Sequence, residues 1–213
     1  MPASLFKRLL LALTWIRMTY QTHSLESMTA TWLLPVVTLI VASSSGGVIC
    51  KSLQDYSNQN ALQTVTMSTF LVIVGFSLAF MMLVTYLQKL ITYGVPSGGA
   101  LLSVFLPLGP TGQAGYSVIL IGENLRRLAS THIRINSQSL EADPIPTIID
   151  ITCVCIGFAL WSFATMWVLY ALLAIYSGLR HSMIAFRISF WGLIFPNVCV
   201  YIAKHYVDYY MPY

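Results

Sequence analysis

The segment TATWLLPVVTLIVASSSGGVI, residues 29–49, carries no charged side chain and is long enough to cross a lipid bilayer as one helix. Three longer intervals, residues 56–88, 90–122 and 151–179, are also free of Asp, Glu, Lys and Arg. The whole chain is 57% hydrophobic and only 8% charged, with a mean hydropathy of +0.74. Because soluble domains carry about a quarter charged residues, this composition indicates a membrane protein.

The lengths of these uncharged intervals predict helices. A transmembrane β-barrel would show alternating segments of about ten residues, and the sequence has no such pattern. We therefore predict an all-α polytopic membrane protein with about five transmembrane helices. The predicted spans are residues 29–49, 67–90, 98–122, 148–176 and 188–203, with a polar loop at 123–147. The predicted organisation is a partial or interfacial helix at 1–28, a transmembrane domain at 29–203 and a tail at 204–213.

The ionisable side chains argue against catalysis. Glu123, Asp150 and all four histidines fall in predicted loops or at span ends, whereas an intramembrane protease needs its histidine or carboxylates at depth. We expect neither enzymatic activity nor a cofactor or metal, and the chain lacks the Lys/Arg run that would predict a nucleic-acid partner. The cysteines are interpreted as small residues that face the core or lipid; they are Cys50, Cys153, Cys155 and Cys199.

The sequence SSSGG, residues 43–47, interrupts the first span with five small residues in a row. Small residues at every fourth position would form a stripe on one helix face, but five neighbours cover the whole circumference. Two interpretations follow. The helix packs closely against several neighbours, with its hydroxyls bonded to their own turn, or it forms a wall of a polar pathway.

The third span contains PLGPTGQAGY, residues 107–116, in which Pro107 and Pro110 are expected to break the helical hydrogen-bond ladder. Irregular backbone at membrane depth survives only where it is buried in protein or lines a wet cavity. The freed N–H groups, together with Thr111 and Gln113, could therefore form a neutral site that holds an anion. A simple kinked helix is the alternative.

The last span contains FWGLIFPN, residues 190–197. Pro196 would clash with the carbonyl of Gly192, four residues earlier, so that Gly192 and Pro196 form a predicted hinge. Phe195 stands at this bend. It either packs, as most membrane phenylalanines do, or gates a pathway.

Taken together and in this order, TWLLPVVTLIVASSSGG (31–47), FLPLGPTGQAGY (105–116) and FWGLIFPN resemble the tellurite-resistance/dicarboxylate transporter family, and within it the fungal sulfite efflux pumps. The resemblance implies an anion-channel-like fold of ten helices in five hairpins, whose odd-numbered helices line a central pore and which commonly assembles as a trimer. The three stretches would be helices five, seven and nine, so that the chain looks like the C-terminal half of the fold. Phe195 matches the phenylalanine that closes the pore in that family.

The resulting expectation is sulfite efflux across the plasma membrane by a multi-pass protein whose partners are a small anion, the bilayer and two further copies in a homotrimer. The residues expected to line the pore or bind the anion are Ser43, Ser44, Ser45, Gly46, Gly109, Thr111, Gly112 and Gln113. Neutral donors suit export, because a fixed cation would hold the anion too tightly to release it. A malate or other dicarboxylate transporter and a truncated, non-transporting membrane fragment are the alternatives.

Overall fold

The computed structural model describes residues 30–95, 98–136, 145–181 and 194–210, and the predicted helix at 1–28 and Gly192 lie outside them. Its five α-helices are α1 (Leu34–Leu53), α2 (Asn58–Tyr93), α3 (Leu108–Asn136), α4 (Ile145–His181) and α5 (Ile194–Tyr210). Two 3-10 helices, Ala30–Leu33 and Gly98–Phe105, precede α1 and α3. Within the described ranges no strand occurs, which confirms the all-α prediction.

Local sequence signals mark the ends of the first two helices. Pro35 stands in the first turn of α1, where its missing N–H costs no intrahelical bond. Ser57 caps α2 by accepting a hydrogen bond from the backbone N–H of Asn60. Gly94 ends α2 with a φ of 79°, a backbone conformation that favours glycine.

The helix α3 lies at the centre of the bundle and packs against the other four α-helices. α1 and α3 run in the same direction, because Ile40 lies near Ser117 and Gly47 lies near Asn124. α5 also runs parallel to α3, because Phe195 lies beside Gly109 and Val200 lies beside Gly112. α1, α3 and α5 therefore form one row of parallel helices, with α3 in the middle.

The helices α2 and α4 return in the opposite direction and flank this row. Gly115 of α3 lies against Gly157 of α4, and further along α3, Gly122 lies against the earlier residue Cys153. Likewise Ser43 of α1 contacts Ser68 of α2, whereas Cys50 contacts Ala61. Each outer helix is thus packed antiparallel to an inner one.

Four described helical segments are long and apolar enough to cross a membrane, and α5, with 17 residues, is shorter. Within the span that contains α3, 83% of the most apolar stretch is buried in the protein, against 22% to 33% in the other three spans. The outer helices expose large apolar side chains such as Ile73 and Leu173. The bundle therefore has a lipid-facing exterior and a central helix that is shielded by its neighbours.

Two predictions about the third span were wrong. The prolines begin a helix and do not kink one, since Pro107 precedes α3 and Pro110 stands in its first turn, where a proline breaks no helical hydrogen bond. The predicted polar loop at 123–147 is helical up to Asn136 and again from Ile145. The pair of Glu123 and Arg127 at i and i+4 lies along α3 and supports this part of the helix. Glu123 and Asp150 consequently lie inside α3 and α4.

Candidate functional site

The small residues of α1 are divided between two neighbouring helices. The Ser43 hydroxyl donates to the carbonyl of Ser68 on α2 at 2.7 Å, and a Cβ at Gly46 would collide with the Ser68 hydroxyl. On the other side, a Cβ at Gly47 would lie 3.2 Å from the Cβ of Leu120 on α3. The absence of side chains at residues 46 and 47 therefore lets α2 and α3 approach α1 closely.

The three serines have different roles in this arrangement. Ser43 bonds across to α2, whereas Ser44 and Ser45 both donate to the carbonyl of Val41 in their own helix, at 2.9 and 3.0 Å. Ser44 is buried and also faces α3, while Ser45 is exposed. Close packing, the first interpretation of SSSGG, thus describes Ser43 and Ser44, and Ser45 offers its hydroxyl outside the bundle.

The first two turns of α3 contain Thr111 and Gln113, which the sequence analysis predicted to lie in a broken helix. Thr111 is fully buried, and its hydroxyl lies 3.0 Å from the carbonyl of Pro107 and 3.1 Å from that of Leu108. The Gln113 amide nitrogen donates to the Ser44 hydroxyl oxygen at 2.5 Å. A Cβ at Gly112 would lie 2.9 Å from the backbone nitrogen of Val200 on α5. These residues join α3 to α1 on one side and to α5 on the other.

At the start of α5, Phe195 and Pro196 lie against Gly109. A Cβ on residue 109 would be 3.5 Å from Cε1 of Phe195 and 4.0 Å from Cγ of Pro196. Pro196 is buried, whereas Phe195 is 45% exposed. The Phe195 ring therefore covers the α3 backbone at Gly109, and part of the ring remains exposed.

The sequence analysis missed three polar side chains that take part in the hydrogen bonds around Gln113 and along α3. We call these contacts between α1, α3 and α5 the polar seam. The Cys199 thiol donates to the Gln113 amide oxygen at 3.1 Å. The Ser117 hydroxyl donates to the Gln113 carbonyl at 2.9 Å, and the Asn124 amide donates to the carbonyls of Gly47 and Leu120 at 2.9 and 2.8 Å. Gln113, Ser117 and Asn124 are spaced as one helical face, a signal that is visible only if α3 continues past Glu123.

Charged residues gather at one end of the bundle, around α1, α3 and α4. Lys51 and Arg127 both pair with Glu123, at 2.9 and 2.7 Å, and Arg126 pairs with Asp150 at 3.3 Å. Both carboxylates are buried. The cations of these pairs are thus matched by acids, whereas the side chains that bond to Gln113, those of Ser44 and Cys199, are neutral.

A cleft of about 460 Å³ opens between α1 and α2 beside the SSSGG band. Gly46, Asn60, Thr64 and Ser68 are among its lining residues, so that its walls carry amide and hydroxyl groups and no formal charge. In the part of the chain that the structure describes, no three His, Cys, Asp or Glu side chains are grouped to hold a metal ion. The lining residues of this cleft can bind a ligand through hydrogen bonds from neutral groups.

The profile of the voltage-dependent anion channel family (SLAC1) matches residues 4–210 of the chain. The chain is 33% identical over 179 residues to the sulfite efflux pump SSU1 of Arthroderma benhamiae and to that of Trichophyton rubrum. Each alignment covers 84% of this chain and 44% of the relative. The SSU1 of Candida albicans is 36% identical over 111 residues, which are 52% of this chain and 23% of the relative.

The chain therefore spans less than half the length of these curated relatives. No solved structure matches it.

Proposed function

The chain belongs to the voltage-dependent anion channel family, and from this membership we propose that it moves sulfite out of the cell as part of an efflux pore. The family supports anion transport by a multi-pass membrane protein, and the names of the relatives suggest sulfite. The proposed location is the plasma membrane, and the proposed assembly is a homotrimer.

The observation that carries the proposal is the neutral seam shared by the three parallel helices. Ser44 of α1, Gln113 of α3 and Cys199 of α5 are linked by consecutive hydrogen bonds. α1 and α3 contain most of two of the stretches that resemble the pore-lining helices of the family, and α5 begins with IFPN, the end of the third stretch. Neutral donors can replace the hydration shell of an anion and still release it, because they hold it less tightly than a fixed cation would.

In the proposed mechanism the anion passes along the face of α3. The backbone N–H groups and side chains from Gly109 to Gln113 act as its hydrogen-bond donors, and Phe195 sets the constriction. Ser43 to Ser45 donate to the anion only when their hydroxyls turn away from the carbonyls that they bond in this structure. The packing of the Phe195 ring over Gly109 supports this assignment, since movement of one aromatic ring would uncover the start of α3.

The experiment expresses the epitope-tagged chain in yeast that lack their own sulfite exporter and measures growth in sulfite. We expect restored growth at a membrane level that is confirmed by the tag. Growth that stays sensitive despite surface expression would contradict the proposal and favour a non-transporting fragment. Uptake of labelled malate without sulfite resistance would instead identify a dicarboxylate transporter. Cross-linking in the same membranes tests the trimer.

A further inference from the structure

A chain of hydrogen bonds crosses the three inner helices. The Cys199 thiol donates to Oε1 of Gln113, Nε2 of Gln113 donates to the Ser44 hydroxyl oxygen, and the Ser44 hydroxyl donates to the carbonyl of Val41. The side chains of Cys199, Gln113 and Ser44 are all at least nine-tenths buried. The thiol therefore belongs to the polar seam and is more than a small residue that fills space.

The hydrogen-bond partners at the two ends of the Gln113 amide determine which way the amide points. An amide has one accepting end and one donating end of nearly equal shape, so that its surroundings decide which way it points. The Ser44 proton is committed to Val41, which leaves the Ser44 oxygen as an acceptor for an amide N–H. The thiol at the other end donates to the amide oxygen, and because sulfur accepts an N–H only weakly, it favours this orientation of the amide.

In this orientation one of the two N–H donors of the Gln113 amide has no acceptor among the described residues. The amide nitrogen carries two N–H groups, and among the described residues only the Ser44 hydroxyl accepts from it. The second N–H is thus a buried neutral donor, which is the kind of group that an anion in the seam could use. A flipped amide would present its oxygen there and repel the anion.

We propose that Cys199 is a positioning residue, whose thiol holds the Gln113 amide with its NH₂ group toward α1 and so keeps an N–H free for the transported anion. The role for the anion rests on the proposed function, whereas the contact between thiol and amide does not. The substrate class is a small oxyanion, which needs donors and no charged partner.

Transport kinetics separate this role from simple packing. Cys199→Ser retains a donor, and we expect it to keep the apparent KM for sulfite close to that of the unchanged chain. Cys199→Ala removes the donor and should raise the apparent KM by at least about tenfold, the lower end of the effect of losing one hydrogen bond to a charged group. If Cys199 only filled space, the small apolar Ala would be tolerated and the polar Ser would be the worse substitution. That reversed order would overturn the proposal. Cys155→Ala, at an exposed position on α4, is the matched control.

Infrared spectroscopy tests the contact itself, whether or not the chain transports. The spectrum of the chain minus that of Cys199→Ser isolates the S–H stretching band of Cys199. Gln113→Ala should move this band to higher frequency because the thiol loses its acceptor, while Gln113→Glu, which retains an acceptor, should leave it lowered. An S–H stretching frequency that does not change in Gln113→Ala would refute the contact.

Titration with sodium sulfite completes the test. We expect sulfite binding to shift the S–H band in the unchanged chain and not in Gln113→Ala. A lowered band that sulfite never perturbs would show that the contact exists without a role for the anion, and it would overturn the proposal. Failure of sulfite transport with an intact sulfite-induced shift would count against the proposed function and leave the positioning role in place.

Discussion

Gly112 and Val200 bring the backbones of α3 and α5 into direct contact, since a Cβ on residue 112 would lie 2.9 Å from the backbone nitrogen of Val200 and 3.0 Å from the carbonyl carbon of Cys199. Backbone atoms cannot move aside as a flexible side chain can. The two helices must separate if residue 112 gains a side chain, and the seam between Gln113 and Cys199 would open with them.

We predict that Gly112→Ala lowers the free energy of unfolding by about 1–3 kcal/mol, the usual cost of overpacking. Gly109→Ala is the matched control on the same helix, because its Cβ would make an ordinary contact at 3.5 Å with the Phe195 ring. Thermal unfolding in detergent should show a lower Tm for Gly112→Ala only. Equal melting of the two variants would mean that α5 is not held against α3 at this point.

Asn124 joins α1 to α3 at the charged end of the seam. Its amide donates to the carbonyl of Gly47, and its oxygen accepts from the Gln54 amide at 3.0 Å. Asn124→Leu would remove both bonds and leave buried polar groups unpaired, at a cost of about 1–3 kcal/mol. Gln59→Ala on the exposed face of α2 should have no effect. A stability of Asn124→Leu that matches this control would refute the role assigned to Asn124.

The two buried carboxylates should respond differently to neutralisation. Glu123 pairs with Lys51 and Arg127, so that Glu123→Gln removes the carboxylate charge that both cations contact. Because the cations are one-third to one-half exposed, we expect a loss of about 1–2 kcal/mol, less than for a fully buried pair.

Asp150→Asn is expected to be nearly neutral. Oδ1 of Asp150 has no hydrogen-bond partner among the described residues, and Oδ2 has one contact of 3.3 Å with Arg126, which the amide oxygen of Asn can replace. Removing a buried charge also removes its desolvation penalty. Urea or thermal unfolding of the two variants side by side gives the comparison, and a larger loss for Asp150→Asn would contradict it.

The gate assignment predicts a gain of flux. Phe195→Ala should raise sulfite efflux about tenfold, the effect of lowering the barrier by roughly 1.4 kcal/mol. Phe70→Ala on α2 controls for the loss of an equally exposed phenylalanine. Efflux from loaded cells or vesicles measures the change. Unchanged flux in a transporting chain would remove Phe195 from the mechanism and leave the rest of the seam untouched.

The sequence predicted the helical class and the three segments that meet in one row, because uncharged length and unusual small-residue content are local properties. It did not predict where α3 begins and ends. Pro110 could equally kink a helix or start one, and only the neighbouring 3-10 turn decides. The sequence predicts a loop that starts at Glu123, because a charge next to an apolar segment usually marks the membrane boundary. In the structure Glu123 pairs with Lys51 and Arg127 and lies inside α3.

The hydrogen-bond partners of individual polar side chains could not be predicted from the sequence either. Gln113 and Thr111 were predicted to be important, but their residue types could not reveal that Thr111 bonds to its own turn and that Gln113 bonds to Ser44. Cys199 was interpreted as a small buried residue, since nothing nearby in the sequence indicates an amide within reach of its thiol. Such pairings depend on the register of two packed helices, which are 86 residues apart at this contact.

The shielding of α3 has a consequence for biosynthesis. α3 is the least apolar of the four candidate spans and the most covered by protein, so that its entry into lipid by itself is less favourable than that of α2. The ribosome nevertheless completes α3 before α4, the helix that packs against α3 at Gly115 and Gly122. Packing against α4 would therefore favour the entry of α3 into the bilayer, and we expect the two helices to insert together as a hairpin. A substitution such as Gly157→Leu would then act on the insertion of a helix that was made earlier.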